Sequence, residues 1–459
     1  MTILKQFRSQ RGIAALAVLC AFPAFATDPA RSVAALPDLQ IEKMLDSGTN
    51  LWALSTDGFL REFGGQGFRW TSETKTTARA YKAPVKFLQW PVIEALAEFT
   101  DSRMARLTLV FYSRGDVGGM AFDNYRATVG QLGSALNALT ETKTPAEVKS
   151  PITARGVRMQ SFAWVKPPHQ FIAEWSHSEI SSTLRQPEFI RLRIEPFDPA
   201  KDPRSAMATA AAAISAARKG SMTQAELRRN IAHDENGDVL IQNVPMVDQG
   251  PKGYCAVATT ERIMSYYGLE ADQHVMAQLA QSSAQGGTSL EAMVGSLRAL
   301  GPKLGCRVRE VIELDLSSLE RLAKRYDREA KRADKPASHW TPPVIDITDF
   351  FSSMDKQILL DLKAQEADAK RLPARVKESI DKGIPLTWGV MLGIVPENPA
   401  IPQSKGGHLR IIVGYNLKTN EVLYSDSWGR GHELKRMPFA SAWAITVSLY
   451  AIEPRHLTL

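Results

Sequence analysis

Cysteine is scarce in this chain, which has three in 459 residues. We expect Cys20 to be removed with an amino-terminal leader, which leaves Cys255 and Cys306. Two cysteines form one disulfide at most, so a scaffold built on disulfides is excluded and stability must come from a packed core. We expect Cys306 to be a buried thiol, because a bridge to Cys255 would silence that residue if it acts as a nucleophile.

Long apolar runs and basic stripes are also missing. Beyond the amino terminus no segment has the roughly 18 uninterrupted apolar residues of a membrane helix, which predicts no stable membrane span. The net charge of +7 would become +4 (7 − 3) once three basic leader residues are removed, and no basic stripe is interleaved with aromatic residues. These features do not indicate nucleic-acid binding. The acidic turn at 234–238 lacks the spaced ligands of a calcium loop, and we predict no metal or cofactor.

Residues 1–26 have the pattern of a secretory signal peptide. The basic residues Lys5, Arg8 and Arg11 precede an apolar run at Gly12–Phe22, and Ala24-Phe-Ala26 is typical of a cleavage site. The apolar run is too short to cross a bilayer. We therefore expect a bacterial protein that is exported, and is either periplasmic or secreted.

The remaining chain is predicted to be α+β, with two domains. Residues 38–200 contain several alternating apolar and polar strands and one helix at Phe122–Leu139, which predicts an antiparallel sheet with one face covered. We find no catalytic constellation in this first domain, whose role stays open.

Residues 201–235 are a predicted helical linker. It contains an alanine-rich helix at Ala206–Ala217 and a second helix at Thr223–Ile231, where Thr223 and Glu226 have the spacing of a capping box. The second domain spans 236–459 and carries a charged, helix-rich insertion at about 315–380.

Cys255 begins a predicted helix that ends at Gly268. A thiol in the first turn of a helix lies where unpaired N–H groups and the helix dipole favour the thiolate. Gln249 lies six positions earlier, across a glycine-containing loop, so its amide and the Cys255 N–H can form an oxyanion hole. The alternative is a buried structural cysteine at the start of an ordinary helix. The loop by itself does not decide between the two.

A hairpin near the carboxyl terminus supplies the second half of a candidate site. The predicted strand His408–Tyr415 turns at Asn416–Asn420 and returns as Glu421–Gly429, which places His408 beside Asp426 at the open end. A carboxylate there can fix the imidazole tautomer, so that the other ring nitrogen can pair with a thiolate. Taken alone, each residue is more typical of a strand surface or a turn.

Three segments resemble motifs of the papain-like cysteine peptidases. Val247-Asp-Gln-Gly-Pro-Lys-Gly-Tyr-Cys-Ala256 is similar to the active-site loop, and Gly407-His408 followed by a strand is similar to the histidine strand. Ser425-Asp-Ser-Trp-Gly429 resembles the Asn-Ser-Trp-Gly segment, with Asp426 in the asparagine place. That aspartate, the lack of paired cysteines and the Gly-Gly-His context are more like the bacterial branch akin to bacteriocin-processing (double-glycine leader) peptidases. The resemblance covers about residues 240–450.

The resemblance implies a papain-like cysteine peptidase domain with a helical insertion, acting on a peptide or protein substrate. It implies Cys255 as nucleophile, His408 as base and acid, Asp426 as orienting residue and Gln249 as oxyanion donor. Ala256 departs from the tryptophan that follows the cysteine in papain, and no transporter domains accompany the chain, so export of leader peptides is not expected.

Other interpretations stay open at this point. The same triad would serve a thiol acyltransferase or a deamidase, and the fold could belong to a binding protein without turnover. Two roles stay open for the first domain, which are binding of cell-envelope material and covering of the active-site cleft until the domain is removed.

Overall fold

The computed structural model describes residues 38–46, 48, 50–80, 84–148, 156–202, 222–250, 253–269, 272–282, 293–295, 297–298, 301, 305–313, 315–342, 345–397, 401–403 and 405–455. The predicted signal peptide and the predicted helix at Ala206–Ala217 lie outside these residues. The described chain is a mixed α+β structure with several sheets.

The described residues of the amino-terminal part include eleven strands. Their bounds are β1 Leu39–Gln40, β2 Phe68–Trp70, β3 Thr77–Ala80, β4 Val85–Phe87, β5 Trp90–Val92, β6 Glu94–Thr100, β7 Arg103–Ser113, β8 Ala146–Glu147, β9 Val157–Lys166, β10 His169–Glu179 and β11 Arg185–Pro196. Eight of them form one sheet in the order β2-β3-β6-β7-β11-β10-β9-β8, here called the N-terminal sheet, in which all neighbours are antiparallel. The other three, β1, β4 and β5, form a small separate sheet.

The carboxyl-terminal part contains a second large antiparallel sheet. Its strands are β12 Ile231–His233, β13 Asp238–Ile241, β14 Cys306–Glu313, β15 Leu386–Leu392, β16 Gly406–Asn416, β17 Glu421–Ser425, β18 Lys435–Pro438 and β19 Thr446–Pro454. The order is β12-β13-β16-β15-β19-β14, and β17 joins β16 to β18. Strands β15, β16 and β19 are buried along their whole length, and β16 and β19 bury polar residues together with apolar ones.

The described α-helices flank these sheets. They are α1 Ile41–Leu45, α2 Thr56–Phe63, α3 Arg114–Val117, α4 Phe122–Thr140, α5 Gln224–Arg229, α6 Cys255–Tyr266, α7 Gln273–Leu279, α8 Leu316–Arg332, α9 Ile347–Ser352, α10 Lys356–Ala364, α11 Ala367–Ile380 and α12 Phe439–Ile445. The predicted capping box is present at the start of α5, where Thr223 and Glu226 bond each other's backbone. The 315–380 region is rich in helix as predicted, with α8 to α11, and α11 contacts β15 and β16.

The N-terminal sheet differs from its prediction in one respect. Helix α4 contacts β9, β10 and β11 and covers one face, as expected. The opposite face is covered as well, because Arg79, Glu174 and Arg191 on it are buried. Arg191 forms an ion pair with Glu174 in the sheet and another with Asp272 at the start of α7. Alternation of apolar and polar residues cannot distinguish a solvated polar face from a face of buried ion pairs.

One carboxyl group between α6 and the N-terminal sheet is poorly accommodated. Among the described residues, Oε2 of Glu261 is buried and has no hydrogen-bond partner. Burial raises the pKa of Glu261 well above its ordinary value, the nearby Asp272, Glu98 and Glu94 raise it further, and Arg191 lowers it. The folded protein therefore favours the protonated carboxyl, whereas the unfolded chain ionises near pH 4 to 5, in the ordinary range of about 4.3.

We expect Glu261→Gln to stabilise the protein at neutral pH. A group whose pKa is raised by folding binds its proton more tightly in the folded state, so ionisation of the unfolded chain opposes folding above the unfolded pKa. The melting temperature of the variant should exceed that of wild type by roughly 2 °C or more at pH 7.5. This gain should vanish as the pH falls well below about 4, where both states are protonated. The exposed Glu62 offers a control, since Glu62→Gln should show no such pH-dependent gain.

Candidate active site

The structure places Cys255 at the first position of α6, as the sequence predicted. Its side chain is buried, and it forms no disulfide with Cys306. Cys306 lies on β14, and burial raises the pKa of its thiol to about 11. The prediction that Cys306 is a buried thiol is therefore confirmed, and the two cysteines have clearly different surroundings.

The hairpin brings His408 and Asp426 together. His408 lies in β16, Asp426 follows the last residue of β17, and the His408 Nε2 atom lies 3.2 Å from Asp426 Oδ1. Strands β16 and β17 pair antiparallel with Ile411 opposite Ser425, and a bulge lies between Ile412 and Gly414. Both side chains are completely buried, so the pair is shielded from solvent.

The charges around this pair favour an imidazolium. Burial lowers the pKa of His408, but the hydrogen bond to Asp426 and the neighbouring Cys255 sulfur outweigh burial, and the net pKa is raised. Burial also disfavours the ionised Asp426, yet Arg410 and the two histidines His408 and His432 hold the pKa of this carboxyl well below its usual range. Asp426 is therefore an anion, and it stabilises the protonated form of His408.

Trp428 covers one face of the imidazole. Its ring is stacked on that of His408, with centroids 4.1 Å apart and planes inclined by 7°. The contact fixes the plane of the imidazole and excludes water from that face. Trp428 lies in the Ser425–Gly429 motif, but no role for it was predicted from the sequence.

Gln249 is held by the same segment. Its backbone N–H donates to the Ser427 carbonyl at 2.8 Å, and the Ser427 hydroxyl donates to the Gln249 side-chain oxygen at 2.7 Å. Because the amide oxygen accepts this bond, the amide N–H groups are directed elsewhere, as an oxyanion donor requires. Ser427 is a second residue whose contribution was missed. The neighbouring residues Pro251 and Lys252 lie outside the described residues.

Arg262 connects three parts of the site. From α6 it donates to the Pro245 carbonyl at 2.7 Å, to the Asp426 carbonyl at 2.8 Å and to the Ser425 hydroxyl at 2.6 Å. Burial lowers its pKa to about 10, so it is still a cation at neutral pH. The cysteine helix, the segment leading to Gln249 and the aspartate are thus joined by one side chain.

A buried network of charges surrounds Asp426. Arg410 Nε lies 2.7 Å and Lys435 Nζ 3.2 Å from its carboxylate, and both cations also contact Glu397, at 2.7 and 2.9 Å. The Tyr424 hydroxyl donates to Glu397 at 2.9 Å. The sequence offered one signal for this network, a single arginine within the apolar strand His408–Tyr415. It offered none for Lys435 or Glu397.

The described part of the chain contains no group of three or more His, Cys, Asp or Glu side chains that could hold a metal ion. Likewise, none of the described helices is both long and apolar enough to cross a membrane.

Comparison with known proteins agrees with the chemistry of these residues. Residues 241–450, which contain all of the candidate site, match the model of the Peptidase_C39 like family. The match supports a cysteine peptidase of the C39 type in this part of the chain, and with it a protein substrate. No curated protein is similar enough to the chain to count as a match.

Proposed function

We propose that this chain is an exported cysteine peptidase that hydrolyses peptide bonds with Cys255, His408, Asp426 and Gln249. The observation that carries the proposal is the buried His408–Asp426 pair beside a cysteine at a helix start. The thiolate and imidazolium that such surroundings favour are the reactive form of a cysteine nucleophile.

The steps follow from the positions of these groups. The Cys255 sulfur attacks the peptide carbonyl carbon, and the carbonyl oxygen becomes an oxyanion that accepts hydrogen bonds from the Gln249 amide and the Cys255 N–H. The tetrahedral intermediate collapses, the C–N bond breaks, and His408 donates its proton to the leaving amine. His408 then takes a proton from water, which attacks the thioester. The C–S bond breaks and the acid product leaves.

The test compares wild type with Cys255→Ala and Cys306→Ala. Iodoacetamide at neutral pH should alkylate wild type and Cys306→Ala at Cys255, whereas Cys255→Ala should remain unlabelled because the pKa of the Cys306 thiol is raised. Proteomic identification of cleavage sites should find products with wild type and Cys306→Ala alone. Equal labelling of Cys255→Ala and wild type would refute the assignment. Product masses would separate hydrolysis from acyl transfer or deamidation.

We further propose the division into a first domain at 38–200, a linker at 201–235 and a peptidase domain at 236–459. Two separate hydrophobic cores support it, one built from residues between Leu39 and Ile194 and the other from residues between Leu227 and Ile452. The removal of residues 1–26, a periplasmic or secreted location and the likeness to the bacteriocin-processing branch stay predictions. Amino-terminal sequencing of the exported protein would test the cleavage site.

A further inference from the structure

We propose that the N-terminal sheet is a permanent part of the catalytic site, and that Arg79 in β3 is a positioning residue for the oxyanion donor Gln249. This inference rests on the proposed function. Arg79 contacts Asp248, the residue before Gln249, in two ways. Nη1 lies 3.0 Å from the Asp248 carboxylate, and Nη2 donates to the Asp248 carbonyl at 2.6 Å.

Arg79 is itself held in place. Its Nε lies 2.9 Å from the carboxylate of Glu94 in the neighbouring strand β6, and Arg79 is only 4% exposed. The planar guanidinium thus has Glu94 on one edge and Asp248 on the other. An ammonium group could not span the two, because it is a point charge without this fork of donors.

The backbone around Gln249 is fitted to this guanidinium. The Asp248 carboxylate also accepts from the Gly250 N–H at 2.8 Å, which closes a tight turn around Gln249. Gly250 has a φ of +64°, and a Cβ atom there would lie 2.8 Å from Arg79 Nη1. On the opposite side, Ser427 holds both the backbone N–H and the amide oxygen of Gln249. Gln249 is therefore held between Ser427 and the residues that Arg79 contacts.

The residue before Cys255 is seated on the same sheet. Tyr254 is buried, and its hydroxyl lies 3.1 Å from the Ser113 hydroxyl at the end of β7. A Cβ atom on Gly115 would overlap the Tyr254 hydroxyl, so the tyrosine occupies space that only glycine leaves open.

The two proposed oxyanion donors are thus each preceded by a residue that the N-terminal sheet holds. Removal of that sheet would expose the Asp248 carboxylate and the Tyr254 ring and release both donors. This arrangement favours an N-terminal domain that is retained in the active enzyme over one that covers the cleft until it is cut away.

The chain contains a matched control in Arg191. Like Arg79, it is a buried arginine of the N-terminal sheet with one partner inside the sheet, Glu174, and one across the interface, Asp272. Its outer partner caps α7 rather than the turn around Gln249. We therefore expect Arg191→Ala to weaken the same interface and to leave Gln249 in place.

The experiment compares full-length wild type, Arg79→Ala, Arg79→Lys and Arg191→Ala. Cleavage of denatured casein, followed as new amino groups, requires the oxyanion hole, whereas alkylation of Cys255 by iodoacetamide forms no oxyanion. Arg79→Ala should lower kcat/KM for casein by roughly 10- to 100-fold, since one oxyanion donor is worth about that much or more, and should leave the alkylation rate within about 3-fold of wild type. Arg79→Lys should fall between wild type and Arg79→Ala. Arg191→Ala should keep both rates near wild type.

Hydrogen exchange gives a readout that does not depend on turnover. Arg79→Ala should speed exchange of the Gln249 N–H at least roughly 10-fold. Arg191→Ala should leave the exchange of the Gln249 N–H unchanged and speed exchange only of N–H groups in α7. Two results would overturn the inference. One is that Arg79→Ala equals wild type in casein cleavage and in exchange of the Gln249 N–H. The other is that Arg79→Ala and Arg191→Ala lose the same amount of casein cleavage. If wild type neither cleaves casein nor reacts at Cys255, the proposed function fails, and the exchange comparison still decides whether Arg79 holds Gln249.

Discussion

Asp426→Asn is expected to unfold far more readily than wild type, although asparagine has nearly the same shape. The buried network contains two carboxylates, Asp426 and Glu397, and two basic side chains, Arg410 and Lys435. The substitution removes one negative charge and leaves an uncompensated cation in the interior. Breaking a buried ion pair by removing one partner costs about 3–5 kcal/mol. Urea unfolding at pH 7.5 would measure the loss.

The same variant should change the titration of the site. Without the Asp426 charge, the pKa of His408 falls, because the hydrogen bond to Asp426 is the strongest of the effects that raise it. The imidazolium is then lost at lower pH. Alkylation of Cys255 depends on the thiolate that this imidazolium stabilises. The pH at which the imidazolium-dependent alkylation is lost should therefore shift to lower values.

A second substitution separates charge from shape. Lys435→Gln in the Asp426→Asn background leaves one cation, Arg410, paired with one carboxylate, Glu397, and so restores the charge balance. The double variant should recover part of the lost stability, while its pH profile of alkylation stays shifted. Stability of Asp426→Asn equal to that of wild type would show that Glu397 alone can balance both cations, and that Asp426 is not needed for its charge.

Apart from substitution of Cys255, Arg262→Met is expected to be the most damaging change after Asp426→Asn. Methionine fills much of the same volume but leaves the carbonyls of Pro245 and Asp426 and the Ser425 hydroxyl without their donor. Each buried polar group left unsatisfied costs about 1–3 kcal/mol, so the free energy of unfolding should fall by roughly 3 kcal/mol or more. Casein cleavage should fall as well, because α6 is no longer joined to the segments that carry Gln249 and Asp426.

The control for Arg262 is Arg332 at the exposed end of α8. Its side chain is 73% exposed and pairs with Glu329 one turn away. Arg332→Met should change stability by no more than about 0.5 kcal/mol. Urea unfolding of the two variants compares a buried arginine with a solvated one. Similar losses in both would contradict a special role for Arg262.

Much of the local structure could be predicted because it depends on short stretches of chain. The helix predicted at Phe122–Leu139 is observed at Phe122–Thr140. The helix beginning at Cys255 and the hairpin that joins His408 to Asp426 belong to the same category. Hydrophobic period, turn residues and hairpin length are local, so the sequence alone located the thiol, the imidazole and the carboxylate.

The sequence by itself therefore determined which residues carry the candidate chemistry, and only the tertiary structure decided what holds them. Arg79 lies 169 residues before Asp248, and Arg262 lies 164 residues before Asp426. A charged residue gives the same sequence pattern whether it is solvated by water or buried and paired with a distant residue. Burial and pairing of such charges depend on tertiary packing, which is the contact between the two parts of the chain for Arg79 and the packing of α6 beside the end of β17 for Arg262. Only such packing removes the water and supplies the partner.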